Sequence, residues 1–410
     1  MLSKARELDA ADPLAEYRER FDLPEGVIYL DGNSLGALPK ATPARLEQVM
    51  RGEWGDGLIR SWNDADWITL PQRVGGKIAP LIGAQPHEVI VADSVSVNLF
   101  KLISAALKMR SDGSGGGRKV ILSEPGNFPT DLYMIQGLEG QGLATQRLAE
   151  RDVMTDALGE DVALLLLTHV HYKSGAMFDM AALTKAAHDV GALVLWDLSH
   201  TGGALPVDLN ACGADFAVGC GYKYLNGGPG APAYAFVAER HHDALEQPLS
   251  GWMGHAAPFD FSDDYAPAPG VDRLLCGTPS ILAMSALEVG VELIAKVGVS
   301  RLWAKSRALS EFFRECLADA GVDLPLVSPD DPMQRGSQLS FRHPEAYALC
   351  QALIARGIIG DFRAPDILRL GFAPAYLRFE DMARTAEELA DILATEAWDT
   401  PEFKQRAAVT

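Results

Sequence analysis

Between residues 87 and 237, short apolar runs alternate with stretches of helical periodicity, and this alternation narrows the possible folds more than anything else in the chain. HEVIVAD (87–93) leads into VNLFKLISAALKM, whose Leu99, Leu102, Ile103 and Leu107 recur at the helical period. Beyond the loop SDGSGGG (111–117) come KVILSE, a helical TDLYMIQGLEG and the strand-like VALLLLTHV. MAALTKAAHDVGA predicts another helix, and ALVLWDLSH, ADFAVGCG and PAYAFVA predict further strands. Strand and helix alternating at this spacing build βαβ units, so the expected fold is α/β, with a mainly parallel central sheet between helices. From about residue 280 the texture changes to two long helical patterns followed by QLSFRH, EAYALCQALIARG and ILRLGFA, which predict a smaller α+β domain. The expected division is a large domain over 51–275, a small one over 276–410, and an N-terminal segment, 1–50, that joins the small domain.

In an open parallel sheet, ligands bind beyond the carboxyl ends of the strands. Unusual polar residues sit at those ends here. Ser94 and Ser96 follow VIVAD, and Asn127, Thr130 and Asp131 follow KVILSE. Thr168 to Tyr172 follow VALLLL, Asp197 and His200 end ALVLWD, and Lys223 follows FAVGCG. These strand ends are expected to converge on one crevice.

The net charge of −19 excludes nucleic acid and anionic membrane surfaces as main partners, so an anionic ligand must be gripped locally. Five scattered cysteines without a CxxC pair fit reduced thiols in the cytoplasm. The start, MLSKARELDAADPLAEYRERF, is charged and helix-like, unlike a signal peptide, and the run VALLLL is too short to span a bilayer. A cytoplasmic protein with no membrane partner is expected. HVH (169–171) lacks a third ligand at a metal-site spacing, so no metal is expected. RVGGKIAPLIGA (73–84) fails as a phosphate loop: Pro71 replaces the early glycine, and no Ser or Thr follows Lys77. His241 and His242, in AERHHDALEQ, read as a solvated helix face.

GCGYKYLNGGPG (219–230) sets Lys223 between two tyrosines and beside glycines that would let a bulky group approach the backbone. A lone lysine, an aspartate at the end of an apolar strand and hydroxyls at a helix start suit pyridoxal 5'-phosphate. That cofactor needs an amine for its Schiff base, an anion for its ring nitrogen and a cup for its phosphate. Asp197 would be the anion, and the helix opened by DSVSVNL, with Ser96, would cradle the phosphate. Taken singly, Asp197 could equally cap a turn, and Ser94 and Ser96 could be ordinary helix caps.

YLDGNSLG (29–36), NFPTD (127–131), DLSH (197–200) and GYKYLNGGPG (221–230) together resemble the kynureninases, fold-type-I pyridoxal-phosphate enzymes, across nearly the whole chain. The resemblance implies hydrolysis of L-kynurenine, or its 3-hydroxy form, to anthranilate and L-alanine, a step of tryptophan catabolism. It implies Lys223 as the Schiff-base lysine, Asp197 as the pyridinium partner and His200 beside the ring. Phe128 would stack on the ring, Asp131 would support the site and Thr168 would sit near the ring hydroxyl. Val95, Ser96 and Tyr222 would hold the phosphate, and Tyr222 would also donate a proton. Trp252 and Thr278 match positions that reach a neighbouring subunit's site, implying a homodimer, although some relatives carry asparagine where Thr278 stands. Arg369 would grip the substrate carboxylate, with Arg363 as the alternative, and either could instead form a surface ion pair. Trp62 would pack on the aryl group or be structural.

Two rivals are weaker. A cysteine desulfurase needs a nucleophilic thiol on a mobile loop, whereas Cys316 and Cys350 lie inside helical patterns. A cofactor-binding regulator could dispense with Lys223, Tyr222 and Arg369, which are all present.

Overall fold

The computed structural model describes residues 1–111 and 117–407, so most of the loop expected at 111–117 lies outside the described residues. The large sheet contains β1 (Val89–Val91), β2 (Val120–Ser123), β3 (Thr145–Leu148), β4 (Val162–Thr168), β5 (Leu193–Asp197), β6 (Phe216–Gly219) and β7 (Tyr234–Val237). Their order across the sheet is β1-β7-β6-β5-β4-β2-β3, parallel except that β7 runs antiparallel to both neighbours.

Successive strand side chains point to opposite faces, and here both faces are cores. Leu165, Leu167, Val194 and Trp196 enter one apolar cluster, while Leu164, Leu166, Leu193 and Leu195 enter the other. Helices α3 (Val95–Met109) and α4 (Pro129–Gly140) bring Leu99, Leu102 and Ile135 to the second cluster. Helices α2 (Leu70–Ile78) and α5 (Met180–Asp189) bring Val74, Ile78 and Ala187 to the first. In α2, Gly75 lies so close to the Val89 carbonyl that a methyl there would overlap it. The glycines at 75 and 76 therefore belong to a packed helix, and Lys77 pairs with Glu288 at 2.7 Å. Strand β3 escaped the sequence pattern because TQRL is polar and, at the sheet edge, half exposed.

The C-terminal part holds helices α6 (Ile281–Val297), α7 (Val299–Asp319), α8 (Ala346–Ala355) and α9 (Phe379–Ala394). They pack with an antiparallel sheet of β8 (Gln338–Arg342), β9 (Asp361–Arg363) and β10 (Ile367–Gly371), ordered β8-β10-β9. The N-terminal segment is tied to this part. Ile28–Tyr29 pairs in parallel with Ile358–Ile359, and helix α1 (Leu2–Ala10) packs on α9. The Asp9 carboxylate accepts from the backbone N–H of Phe379 at 2.7 Å and of Glu380 at 2.9 Å. It thereby serves donors that a helix start cannot satisfy internally.

His241 and His242 are not a solvated helix face. They lie in a short turn where His241 Nε2 meets the buried Asp215 carboxylate at 2.7 Å and His242 Nε2 meets the Val237 carbonyl at 3.0 Å. Asp215 also binds His188 and Arg240, so a buried anion draws in both histidines His188 and His241. No helix among the described residues is long and apolar enough to cross a membrane.

Replacing Asp9 with alanine is expected to destabilise the fold by about 1–2 kcal/mol, the usual worth of a capping carboxylate. A thermal melt followed by circular dichroism checks this, with a lowered midpoint expected.

Candidate active site

The carboxyl ends of β1, β2, β4, β5 and β6 meet at a cavity of about 380 Å³. Its lining includes Val95, Ser96, Phe128, Thr168, Asp197, His200, Tyr222 and Lys223, each at or just beyond the carboxyl end of a strand. Lys223 is only 7% exposed, and its Nζ lies 2.9 Å from His200 Nε2. Burial pulls the lysine below its ordinary pKa, with Asp197 opposing and Arg369 adding to the fall. The same burial, and Lys223 itself, keep His200 neutral, well below the usual histidine value. An imidazole that accepts at Nε2 carries its proton on Nδ1, and that nitrogen is buried without a partner.

Asp197, the last residue of β5, is buried and accepts from the Ser199 backbone N–H at 2.7 Å. Burial raises its pKa, whereas the Ser199 bonds and the Lys223 charge favour the anion. Asp131 sits deeper, off the cavity lining. Its Oδ2 accepts from Thr168 Oγ1 at 3.0 Å and from Asn127 Nδ2 at 3.3 Å, while its Oδ1 has no partner. Burial, then repulsion from Asp197, pushes Asp131 well above the carboxylate range.

Helix α3 opens onto the cavity. Ser94 is its cap, its hydroxyl accepting from the Val97 N–H at 3.4 Å, and Val95 and Ser96 form the first turn, where backbone N–H groups lack helical acceptors. Asp93, just before the cap, has φ +46° and also lines the cavity. Its charge beside an anion cup is offset by the fully buried Lys101, whose Nζ donates to it at 2.5 Å. Sequence reading missed Lys101 because it looks like any lysine of an amphipathic helix. Tyr172, one of the strand-end residues expected at the crevice, does line the cavity, with its ring edge-on to Phe128 at 5.3 Å. The two histidines of HVH have separate partners, His169 bonding Thr201 at 3.0 Å and His171 the Gly126 carbonyl at 3.0 Å.

The YLDGNSLG segment packs on the lysine turn. Gly36 N–H donates to the Tyr222 carbonyl at 2.8 Å, and a methyl on Gly36 would overlap the Lys223 carbonyl. Arg369 on β10 is 1% exposed, which removes the surface ion pair as an account of it. Its Nε donates to Asp361 Oδ1 at 2.8 Å, its Nη1 to the Tyr172 carbonyl at 2.6 Å and its Nη2 to Ser34 at 2.8 Å. Arg363 is half-buried and shares Asp361 and Ser34. Trp62 lies off the cavity, edge-on to Trp67 at 5.9 Å. Trp252 is 40% exposed and touches Phe259, and Thr278 lines a neighbouring hollow that shares Asp93 and Gly230 with the cavity.

A primary amine kept out of water, a carboxylate one strand away and an anion cup at a helix start meet the demands of pyridoxal phosphate. Two of the buried atoms without a partner, His200 Nδ1 and Asp131 Oδ1, belong to groups on or just behind the cavity wall. The fold and site define a pyridoxal-phosphate enzyme of fold type I. An apo cysteine desulfurase from Thermococcus onnurineus shares the fold with a TM-score of 0.80 at 20% identity, over 93% of this chain and 98% of that one. A C-DES mutant with glycine covalently linked to its PLP cofactor shares it with a TM-score of 0.78 at 17% identity, over 91% and 99%. Sequence similarity is more specific. The chain is 52% identical to a kynureninase of Burkholderia mallei, over 99% of both chains, and 48% identical to one of Pseudomonas fluorescens, over 98% of both. Residues 302–389 match the kynureninase C-terminal domain. The chain belongs to the kynureninase family.

The Lys223→Ala variant, loaded with pyridoxal phosphate and treated with borohydride, is expected to retain no covalently fixed cofactor by mass spectrometry, whereas the wild type gains the cofactor's mass.

Proposed function

We propose that this chain hydrolyses L-kynurenine to anthranilate and L-alanine, with pyridoxal phosphate held in the cavity around Lys223. The observation that carries this reading is the identity of about half of all residues with kynureninases over the full length of both chains. The 3-hydroxy form is a second candidate substrate; a hydroxyl is favoured only where the aryl pocket offers it a partner.

In this reading Lys223 would bond the cofactor, Asp197 would partner its ring nitrogen, and Phe128 and His200 would lie beside the ring. Asp131 acts through Thr168, which it accepts from at 3.0 Å. Val95, Ser96 and Tyr222 would hold the phosphate. The bound cofactor supplies an electron sink for cleavage of the substrate's Cβ–Cγ bond. Lys223, its pKa lowered by burial, is the group that would take the α-proton. Tyr222 is held above the ordinary phenol range, first by burial and then by Cys220 and Asp197, so it keeps its proton until the alanine fragment needs one. Arg369 presents its guanidinium to the substrate carboxylate; its Nη1 lies against the carbonyl of the cavity residue Tyr172.

A thiol mechanism has less support. Cys316 and Cys350 are buried in α7 and α8, and Cys220, on the cavity wall, is held above the ordinary thiol value by burial.

The reading extends to a homodimer in which Trp252 and Thr278 serve the neighbouring subunit's site. An apolar hollow beside the lysine turn supports it, because Leu35, Leu38 and Leu282 are each more than a third exposed there. It also extends to a large domain over 51–275 and a small one over 276–410 joined by residues 1–50, supported by the Ile28–Tyr29 pairing. Five unpaired cysteines support a cytoplasmic setting.

The direct test is incubation of the cofactor-loaded protein with L-kynurenine, following anthranilate fluorescence and assaying alanine. Equimolar products are expected, and their absence overturns the reading. Tyr222→Phe is expected to lower kcat by about 10²–10⁴-fold, the usual worth of a positioned proton donor, with cofactor content measured alongside.

A further inference from the structure

The segment YLDGNSLG places a second carboxylate beside the arginine pair. Asp31 Oδ1 lies 3.9 Å from Arg369 Nη2 and is buried with no hydrogen-bond partner. Asp361 is held quite differently. Both its oxygens accept from Arg369, and Oδ2 also accepts from Arg363 at 2.5 Å and from the Ser34 hydroxyl at 3.0 Å. The cluster therefore contains two guanidinium groups and two carboxylates, and it is neutral when both aspartates are ionised.

A substrate carboxylate arriving at Arg369 would leave this buried group with one net negative charge. Uncompensated charge away from water is expensive. The least costly remedy is to neutralise the carboxylate with the weakest hold on its surroundings. We propose that Asp31 is a positioning residue that takes up one proton when an α-carboxylate binds beside Arg369. Substrate and proton therefore bind together. This inference rests on the reading of Arg369 as the carboxylate-binding group.

The surroundings of Asp31 favour it as the acceptor. Burial, and then the charge of Asp361, push its pKa up to about 7 before any ligand adds charge. Burial opposes ionisation of Asp361 too, but the Arg369 and Arg363 guanidiniums keep it below the ordinary carboxylate range. Lys223 and His200 feel the arginines from the lysine side, and burial lowers both. The remaining groups facing the cluster are Tyr29, Tyr224 and Tyr376 and, from α8, Cys350. Burial raises all four above their ordinary values, away from neutrality.

The sign of the effect follows from linkage. A bound carboxylate raises the Asp31 pKa further, so affinity is full below about pH 7 and falls as pH rises toward the bound-state value. KM should then climb by up to about tenfold per pH unit over that window.

The test is steady-state hydrolysis of L-kynurenine by the holoenzyme, with kcat and KM measured from about pH 6 to about pH 9. The wild type is expected to show the rising KM limb, and Asp31→Asn to lose that limb while keeping the pH profile of kcat. A merely structural role for Asp31 would worsen KM at every pH and leave the limb in place. Persistence of the limb in Asp31→Asn overturns the inference, as does a wild-type KM without it. If Asp31→Asn misfolds by circular dichroism, Asp31→Ser removes the same charge with a smaller side chain. Arg369→Lys separates the two claims. A KM raised about 10–100-fold supports the carboxylate role of Arg369, and an unchanged KM defeats that role whatever the limb does.

Discussion

An amine held out of water is the constraint on which the rest of this structure depends. Lys223 can act as a base near neutrality only if burial penalises its ammonium form, and burial of a cation is tolerated only where the surroundings limit the cost. His200 accepts from it at 2.9 Å, and Asp197 opposes the fall in its pKa. The strand ends of a fully covered parallel sheet provide such a place. Helices on both faces keep water away from the strands, and the turns beyond them carry the polar groups inward.

Charge in the site is managed pair by pair, because the chain as a whole is strongly acidic. Asp93 beside the anion cup is matched by Lys101, and Asp361 by Arg369 and Arg363. Asp131 has no such cation: burial and the neighbouring Asp197 raise its pKa, since two adjacent buried carboxylates cannot both ionise cheaply. Asp31 stands between these solutions: close enough to Arg369 to feel it, yet too far to bond it. That intermediate hold makes it the group in the arginine cluster most readily altered by an incoming anion.

The N-terminal segment is the structural link between the two ends of the chain. Ile28–Tyr29 joins the C-terminal part by backbone pairing, and Gly36 then reaches the carbonyl of Tyr222. Arg369 binds the Tyr172 carbonyl from the other direction. The turn carrying the amine and the loop carrying Tyr172 are thus each fastened to elements far away in sequence.

Much of this was legible in the sequence, because local periodicity and strand-end polarity are properties of contiguous residues. The apolar runs of β4 and β5, the helical spacing of Leu99, Leu102 and Ile103, and the polar residues after five strands predicted the sheet and its crevice. The edge strand β3 was not legible, since a polar strand paired on one side carries no apolar signature. The motif resemblance named candidates for the site, but it could not say that Trp62 packs on Trp67 away from the cavity. Nor could it place His241 on a buried aspartate, or Lys101 on Asp93. Pattern alone determined which strands bury their residues and where their polar ends lie, because burial periodicity is written locally. Only the tertiary structure decided which distant charges share one water-poor volume, because pairings such as Arg369 with Asp361 and Asp31 depend on how separate elements pack.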